Sequence, residues 1–158
     1  MAVPGAPHPR VLGYLGRALS LELTAVQQYM TQASLLELWG DGEAADHFRH
    51  ETVEEMKHAE RIVKRMLTSG VAPAASQLRP VSHASDLAEL LRRNAVLEDD
   101  LIALYAEATR FCAQIGDADH QDFFQDLWQE EQQHRQVLTT WLARLQGPVS
   151  DLPARAQF

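Results

Sequence analysis

Cysteine is almost missing from these 158 residues: Cys112 stands alone, which excludes an intrachain disulfide framework and any cysteine-rich zinc or iron–sulfur site. Long apolar runs are missing too. The longest charge-free stretch, Leu23 to Leu36, is interrupted by Gln27, Gln28 and Gln32, too short and too polar to span a bilayer, so no membrane insertion is expected. The first ten residues contain Pro4, Pro7 and Pro9 but no apolar core of a signal peptide, so the expected location is the cytoplasm. Basic residues are the minority, 14 against 22 acidic, for a net charge of −8 with no Lys/Arg cluster. Nucleic acid is therefore not an expected partner, whereas cations are. Strand-like alternation of apolar and polar residues is absent over any useful length.

Proline, too, is absent from residues 10–72 and 81–147, which leaves two stretches free of the strongest helix breaker, each long enough for two helices. Gly40 and Gly42 divide the first and Gly116 the second, while Gly70 and Gly147 sit where helices should stop. The expected elements are helices near 10–39, 43–69, 84–115 and 117–146, with Asp41, Asp86 (followed by Glu89) and Asp117 as caps. At 46% apolar and 23% charged residues, the whole chain, 1–158, reads as one all-α domain, a bundle over about 10–146 with a tail from 147 to 158. The connector from about Gly70 to His83 can reach roughly 45 Å when extended, and a helix of about 27 residues is roughly 40 Å long. It can thus climb the bundle and start the third helix parallel to the second, giving a four-helix bundle with one long crossover.

Each apolar stripe carries an ionisable residue where a core residue belongs. In the first helix Leu15, Leu19, Glu22, Val26, Tyr29 and Ala33 share a face; in the second, Phe48, Glu55, His58, Ile62 and Met66. The third aligns Leu91, Glu98, Leu101, Tyr105 and Cys112, and the fourth Phe124, Leu127, Glu131, His134, Leu138, Trp141, Leu142 and Leu145. Glu55-x-x-His58 and Glu131-x-x-His134 each set a carboxylate and an imidazole one turn apart on one face, where both can reach one metal. Upstream of each motif, at the same separation of 33 residues, lies a lone stripe glutamate, Glu22 and Glu98, and each is followed seven residues on by a tyrosine, Tyr29 and Tyr105. The chain reads as two equivalent helix pairs whose six ligands converge on the bundle centre, the arrangement general to di-iron carboxylate bundles. Single glutamates on amphipathic helices are ordinarily solvated. Four buried together without a cation would repel one another and lose hydration, a cost of several kcal/mol per ion, which two divalent cations remove. Carboxylate and imidazole suit iron or manganese; zinc would fit but has no redox cycle.

At these residues the sequence resembles bacterioferritin, the haem-containing ferritin of prokaryotes. Glu22 with the run Leu23 to Tyr29, the run His50 to Glu60 with Glu54-Glu55-Met56-Lys57-His58-Ala59 at its heart, and the Glu131–His134 pair carry the resemblance, which extends over about residues 10–146. It implies a ferritin-like fold and a ferroxidase centre of two irons per subunit, with Glu22 and Glu98 as terminal ligands, Glu55 and Glu131 as bridges, one of His58 and His134 on each iron, and Tyr29 beside them. Iron storage and detoxification follow: Fe(II) is oxidised by O2 or H2O2 and ferric mineral is laid down in a cage of 24 subunits built from dimers, with a ferredoxin as electron donor. The resemblance further implies haem b, one per subunit pair, on Met56 of each subunit, with Leu23, Gln27, Met30 and Arg49 lining the pocket. Met56 lies about 100° around its helix from Glu55, off the metal face. The tail from Gly147, with Pro148 and Pro153, departs from the family, whose short fifth helix is here expected to be absent or a single turn.

Other readings share these residues. A rubrerythrin-like or manganese-catalase-like peroxide scavenger would use the same ligands without storage, though one cysteine cannot build a rubredoxin site. A haem-binding structural shell subunit would use the metals for stability alone. His50 and Glu54, spaced i, i+4, could share a third metal but read better as a solvated pair, Cys112 reads as a packed core thiol, and His47, His83 and His120 show no partner in the sequence.

Overall fold

In the computed structural model, residues 6–74, 76–82 and 84–147 are described. Four helices run α1 (Pro9–Leu38), α2 (Gly42–Thr68), α3 (Leu87–Ile115) and α4 (Ala118–Gln146), and no strand occurs among the described residues. The three aspartates expected as caps are caps. Asp41 accepts from the Ala44 amide, Asp86 from Glu89 and Asp117 from His120, satisfying amides that have no partner inside the helix. The third helix therefore starts at Leu87 and not at 84, because Asp86 takes the cap while Glu89 reaches back to the Ser85 amide at 3.0 Å. That amide and then Arg93 hold the Glu89 carboxyl down to about 2. At α1 the cap is His8, whose Nδ1 accepts from the Arg10 amide ahead of Pro9, an arrangement that the usual cap residues do not signal. Gly116, at φ 72°, closes α3 in the left-handed region where a side chain would be strained, and the Asp117 amide returns to the Cys112 carbonyl at 2.9 Å.

Helix direction follows from the two main apolar clusters. One joins Val11, Leu15 and Leu19 of early α1 to Ile62 and Met66 of late α2, Leu101, Leu104 and Cys112 of α3, and Phe124 and Leu127 of early α4. The other joins Ala33 and Leu36 of late α1 to Ala44 and Phe48 of early α2, Leu90 and Leu91 of early α3, and Leu138 of late α4. Thus α1 and α2 are antiparallel, α3 and α4 are antiparallel, and α3 runs parallel to α2. The crossover between them is tied to α1 midway, the Gln77 amide donating to Ser20 Oγ at 3.1 Å and the Arg79 amide to Thr24 Oγ1 at 3.2 Å, while Arg79 pairs with Asp100 of α3 at 2.6 Å. This is the ferritin-like four-helix bundle with one long crossover. The fifth-helix expectation falls on 148–158, outside the described residues. One stripe is shorter than its periodicity suggests: Leu145 is 46% exposed, because the last turn of α4 extends past the end of the apolar cluster that Leu138, Trp141 and Leu142 join.

Between the two clusters the core turns polar. Glu22, Glu55, Glu98 and Glu131, one from each helix, are buried at mid-height together with His58.

Candidate metal centre

The spacing that aligned the carboxylates with the apolar stripes now places them face to face. Two overlapping groups form, Glu22, Glu55, His58 and Glu131 in one and Glu55, Glu98, Glu131 and His134 in the other, each with its ligand atoms within 4.8 Å of one another. Glu55 and Glu131 belong to both. His58 Nδ1 lies 2.8 Å from Glu131 Oε1, 3.3 Å from Glu22 Oε1 and 3.6 Å from Glu55 Oε2. His134 Nδ1 lies 2.7 Å from Glu55 Oε1 and 3.5 Å from Glu131 Oε2. Glu98 and Glu22 are steadied from the opposite helix pair: Tyr29 donates to Glu98 Oε1 at 2.5 Å and Tyr105 to Glu22 Oε1 at 2.6 Å. Burial, then the nearby carboxylates, push both phenols well above their ordinary range, so both stay protonated and donate.

So many carboxylates in a dry core rearrange their protons. Burial, followed by the charge of Glu55, raises Glu22 well above the usual carboxyl range. Burial and then the charges of Glu22 and Glu55 do the same to Glu131, and burial brings Glu98 to about 7. Glu55 moves the other way: burial opposes its ionisation, but the Glu22 carboxyl and both imidazoles beside it outweigh that, and it stays charged. The imidazoles follow the carboxylates. Burial pulls His58 down and Glu22 with Glu55 more than reverses it, to about 10; His134 is brought to about 9 against the same burial, chiefly by Glu55.

The donor set fits two divalent cations. Seven buried atoms of the six residues, Glu22 Oε2, both Glu55 oxygens, Glu98 Oε2, Glu131 Oε2, His58 Nε2 and His134 Nδ1, make no hydrogen bond, whereas buried polar atoms ordinarily find a partner. Five of the seven are carboxylate oxygens. Oxygen and imidazole donors, two of the carboxylates shared, match a pair of borderline-hard cations.

All six expected ligands and Tyr29 are thus brought together. The five residues expected to line a haem pocket lie elsewhere, on the outer side of α1 and α2: Met56 is 52% exposed and Met30 53%, Gln27 and Arg49 are exposed and Leu23 is half-buried. Arg49 is held by Glu37 and Asp46. His50 and Glu54 stand 4.0 Å apart with His50 largely exposed, in keeping with a solvated pair, and Cys112 is fully buried, its thiol pushed up to about 11 by burial and then Asp117. Two histidines read as partnerless do have partners. His47 Nε2 is 3.7 Å from Glu51 Oε1 and its ring meets Trp141 edge-on, and His120 Nδ1 is 2.9 Å from Asp117; the i+4 and i+3 spacings carried both signals. His83 lies outside the described residues. Glu51, whose Oε2 is 3.7 Å from His134 Nδ1, and Glu130, whose Oε2 is 3.8 Å from His58 Nε2, complete the surroundings. Sequence reasoning did not single them out: Glu51 has Leu127 as its counterpart in the other half, and Glu130 repeats Glu54 but meets His58 only across the bundle.

Comparison with known proteins agrees with this geometry. Residues 12–147 match the ferritin-like domain family. A bacterioferritin of Rhodobacter capsulatus is 34% identical over 85% of this chain and 83% of its own length. Bacterioferritins of Brucella melitensis and Mycolicibacterium paratuberculosis are 33% and 30% identical over 85% of this chain and 83% and 84% of theirs. A four-helix bundle with a crossover, one buried carboxylate from each helix and relatives of this kind lead to one assignment: the chain belongs to the bacterioferritin family of ferritin-like proteins.

Proposed function

We propose that this protein stores and detoxifies iron by oxidising Fe(II) at the dinuclear centre within each subunit. The observation that carries the reading is the pair of overlapping donor groups sharing Glu55 and Glu131. Fe(II) is the substrate. Two ions each give up one electron, reducing O2 with two protons to H2O2, or H2O2 with two protons to water, and the Fe(III) moves on to a mineral.

The side chains divide the work. Glu22 and Glu98 are terminal ligands, held in place by Tyr105 and Tyr29. Glu55 and Glu131 bridge, and their charges draw the two ions together. His58 and His134 bind through Nδ1, the nitrogen each turns toward the carboxylates. Before substrate arrives, protons on the imidazoles and on Glu22 and Glu131 balance the buried charge; cation binding displaces them. The centre therefore exchanges protons for metal without ever burying four bare carboxylates.

A cage of 24 subunits built from dimers in the cytoplasm, with a ferredoxin as electron donor for release, belongs to the same reading. So does haem b. The outward Met56 thioether, together with that of a second subunit, would hold the haem, which would supply electron transfer. Leu23, Gln27, Met30 and Arg49 would surround it. No helix among the described residues is long and apolar enough to cross a membrane.

Aerobic addition of Fe(II) to metal-free protein, following ferric absorbance and particle mass, tests the reading. Rapid oxidation saturating near two irons per subunit, then slower growth of a mineral inside a large particle, is expected. Rapid peroxide turnover without mineral growth would assign a peroxide scavenger instead, and no oxidation at all would leave only a structural subunit.

A further inference from the structure

We propose that Arg61 and Glu130 form a positioning pair behind His58, making the His58 half of the centre the tighter of its two cation sites. The inference rests on the dinuclear reading above and concerns residues outside its ligand set. His58 turns Nδ1 toward three carboxylates. For that nitrogen to offer a lone pair to a cation, the ring proton must sit on Nε2. Nε2 is buried and makes no hydrogen bond; the carboxylate oxygen facing it is Glu130 Oε2, at 3.8 Å. The same oxygen accepts from Arg61 Nη1 at 2.6 Å. Arg61 follows His58 by one turn on α2, and Glu130 precedes Glu131 on α4, so the ion pair ties the two helices together beside the imidazole. A movement of about 1 Å brings Nε2 and Oε2 to hydrogen-bond distance. A carboxylate behind a ligating imidazole fixes its tautomer and ring plane and raises its basicity toward the metal.

The second half of the centre has no such support. Glu54 stands before Glu55 as Glu130 stands before Glu131, but it pairs with Lys57 at 3.2 Å and His50 at 4.0 Å on the outside of the bundle. Three residues after His134, where the first motif has Arg61, stands Val137, which is exposed. The carboxylates beside His134, those of Glu51, Glu55 and Glu131, all approach it at Nδ1. The side chain of His134 is 16% exposed against 2% for His58. One imidazole is enclosed and backed by a held carboxylate; the other is open and unbacked. The two halves, alike in their ligands, differ in what stands behind them.

Zn(II) titrated by calorimetry into the assembled metal-free protein tests this, heat from sites outside the centre being removed by subtracting the Glu55→Ala/Glu131→Ala double variant. The native protein should show two unequal affinities. Glu130→Gln should weaken the tighter one by about 10–100-fold and leave the other in place. Arg61→Met should act on the same site in the same direction, and Arg61→Lys should recover part of the loss. Glu130→Gln added to His58→Ala should have no further effect, since the carboxylate acts through that ring. Two equal affinities in the native protein, or a Glu130→Gln variant that alters neither site or both alike, would overturn the positioning role. Failure of the native protein to bind Zn(II) at the centre at all would overturn the dinuclear reading itself.

Discussion

His58 lies nearer to Glu131 on the opposite helix, at 2.8 Å, than to Glu55 of its own motif, at 3.6 Å. His134 repeats the relation with the helices exchanged, 2.7 Å to Glu55 and 3.5 Å to Glu131. Each Glu-x-x-His motif thus finds its counterpart across the bundle, and the two shared carboxylates are where the halves meet. Removing either should be felt by both cation positions. Glu55→Ala or Glu131→Ala is expected to abolish the fast phase of Fe(II) oxidation while leaving the fold intact, because the variant also takes one acidic group out of a crowded buried cluster. Stopped-flow absorbance and circular dichroism check the two halves of the statement; oxidation at the native rate would contradict the bridging role.

Metal binding should release protons. With His58 held to about 10 and His134 to about 9, both imidazoles are charged at neutral pH in the metal-free protein and must lose a proton to bind. At least two protons should therefore appear per pair of cations, with more from Glu22 and Glu131, whose carboxyls are raised by burial and neighbouring charge. Affinity should fall as pH is lowered. Calorimetry of Zn(II) binding in buffers of different ionisation heat counts the protons.

The same raised values set a pH dependence of stability with a definite sign. His58 binds its proton more tightly folded than unfolded, so its contribution is complete below the unfolded value near 6.5 and is lost as pH rises through about 10. His134 and the raised carboxyls of Glu22, Glu98 and Glu131 act in that direction, and Glu55, held low, acts in the other. Metal-free protein should lose thermal stability between about pH 7 and 10, and metal-loaded protein much less, because bound cations replace the protons. Differential scanning calorimetry of both forms across that range is the check.

Tyr29 and Tyr105 make matched predictions for the two halves. Tyr29→Phe removes the donor to Glu98 and Tyr105→Phe the donor to Glu22, leaving each buried carboxylate freer to move. Each variant should weaken its own cation site by about tenfold, and the two effects should fall on different sites in a Zn(II) titration. The proposed haem site is independent of both. Met56→Leu should lose haem without slowing Fe(II) oxidation, because Met56 projects away from the face that Glu55 and His58 share; haem reconstitution followed by absorption spectroscopy decides it.

Much of this was legible in the sequence because its cause is periodic. Interrupted apolar stripes marked the buried carboxylates, equal separations between Glu22 and Glu55 and between Glu98 and Glu131 marked the halves, and aspartates after glycines or loops marked three helix starts. What stayed hidden depends on relations that no spacing encodes. Arg61 and Glu130 are 69 positions apart and meet only because α2 and α4 are neighbours. Leu145 keeps the stripe's phase but lies beyond the end of the core, so phase alone misplaces it. His8 caps α1 with an imidazole nitrogen where the usual oxygen acceptors are absent. The outward position of Met56 followed from its angle to Glu55.

An anomalous-scattering map, measured at the iron edge on crystals soaked in Fe(II) without oxygen, tests the central claim most directly. Two peaks are predicted inside a single subunit, one among Glu22, Glu55, His58 and Glu131 and the other among Glu55, Glu98, Glu131 and His134, with Glu55 and Glu131 common to both. A map with no peak among these six side chains, or with a single peak that leaves one histidine unliganded, would contradict it.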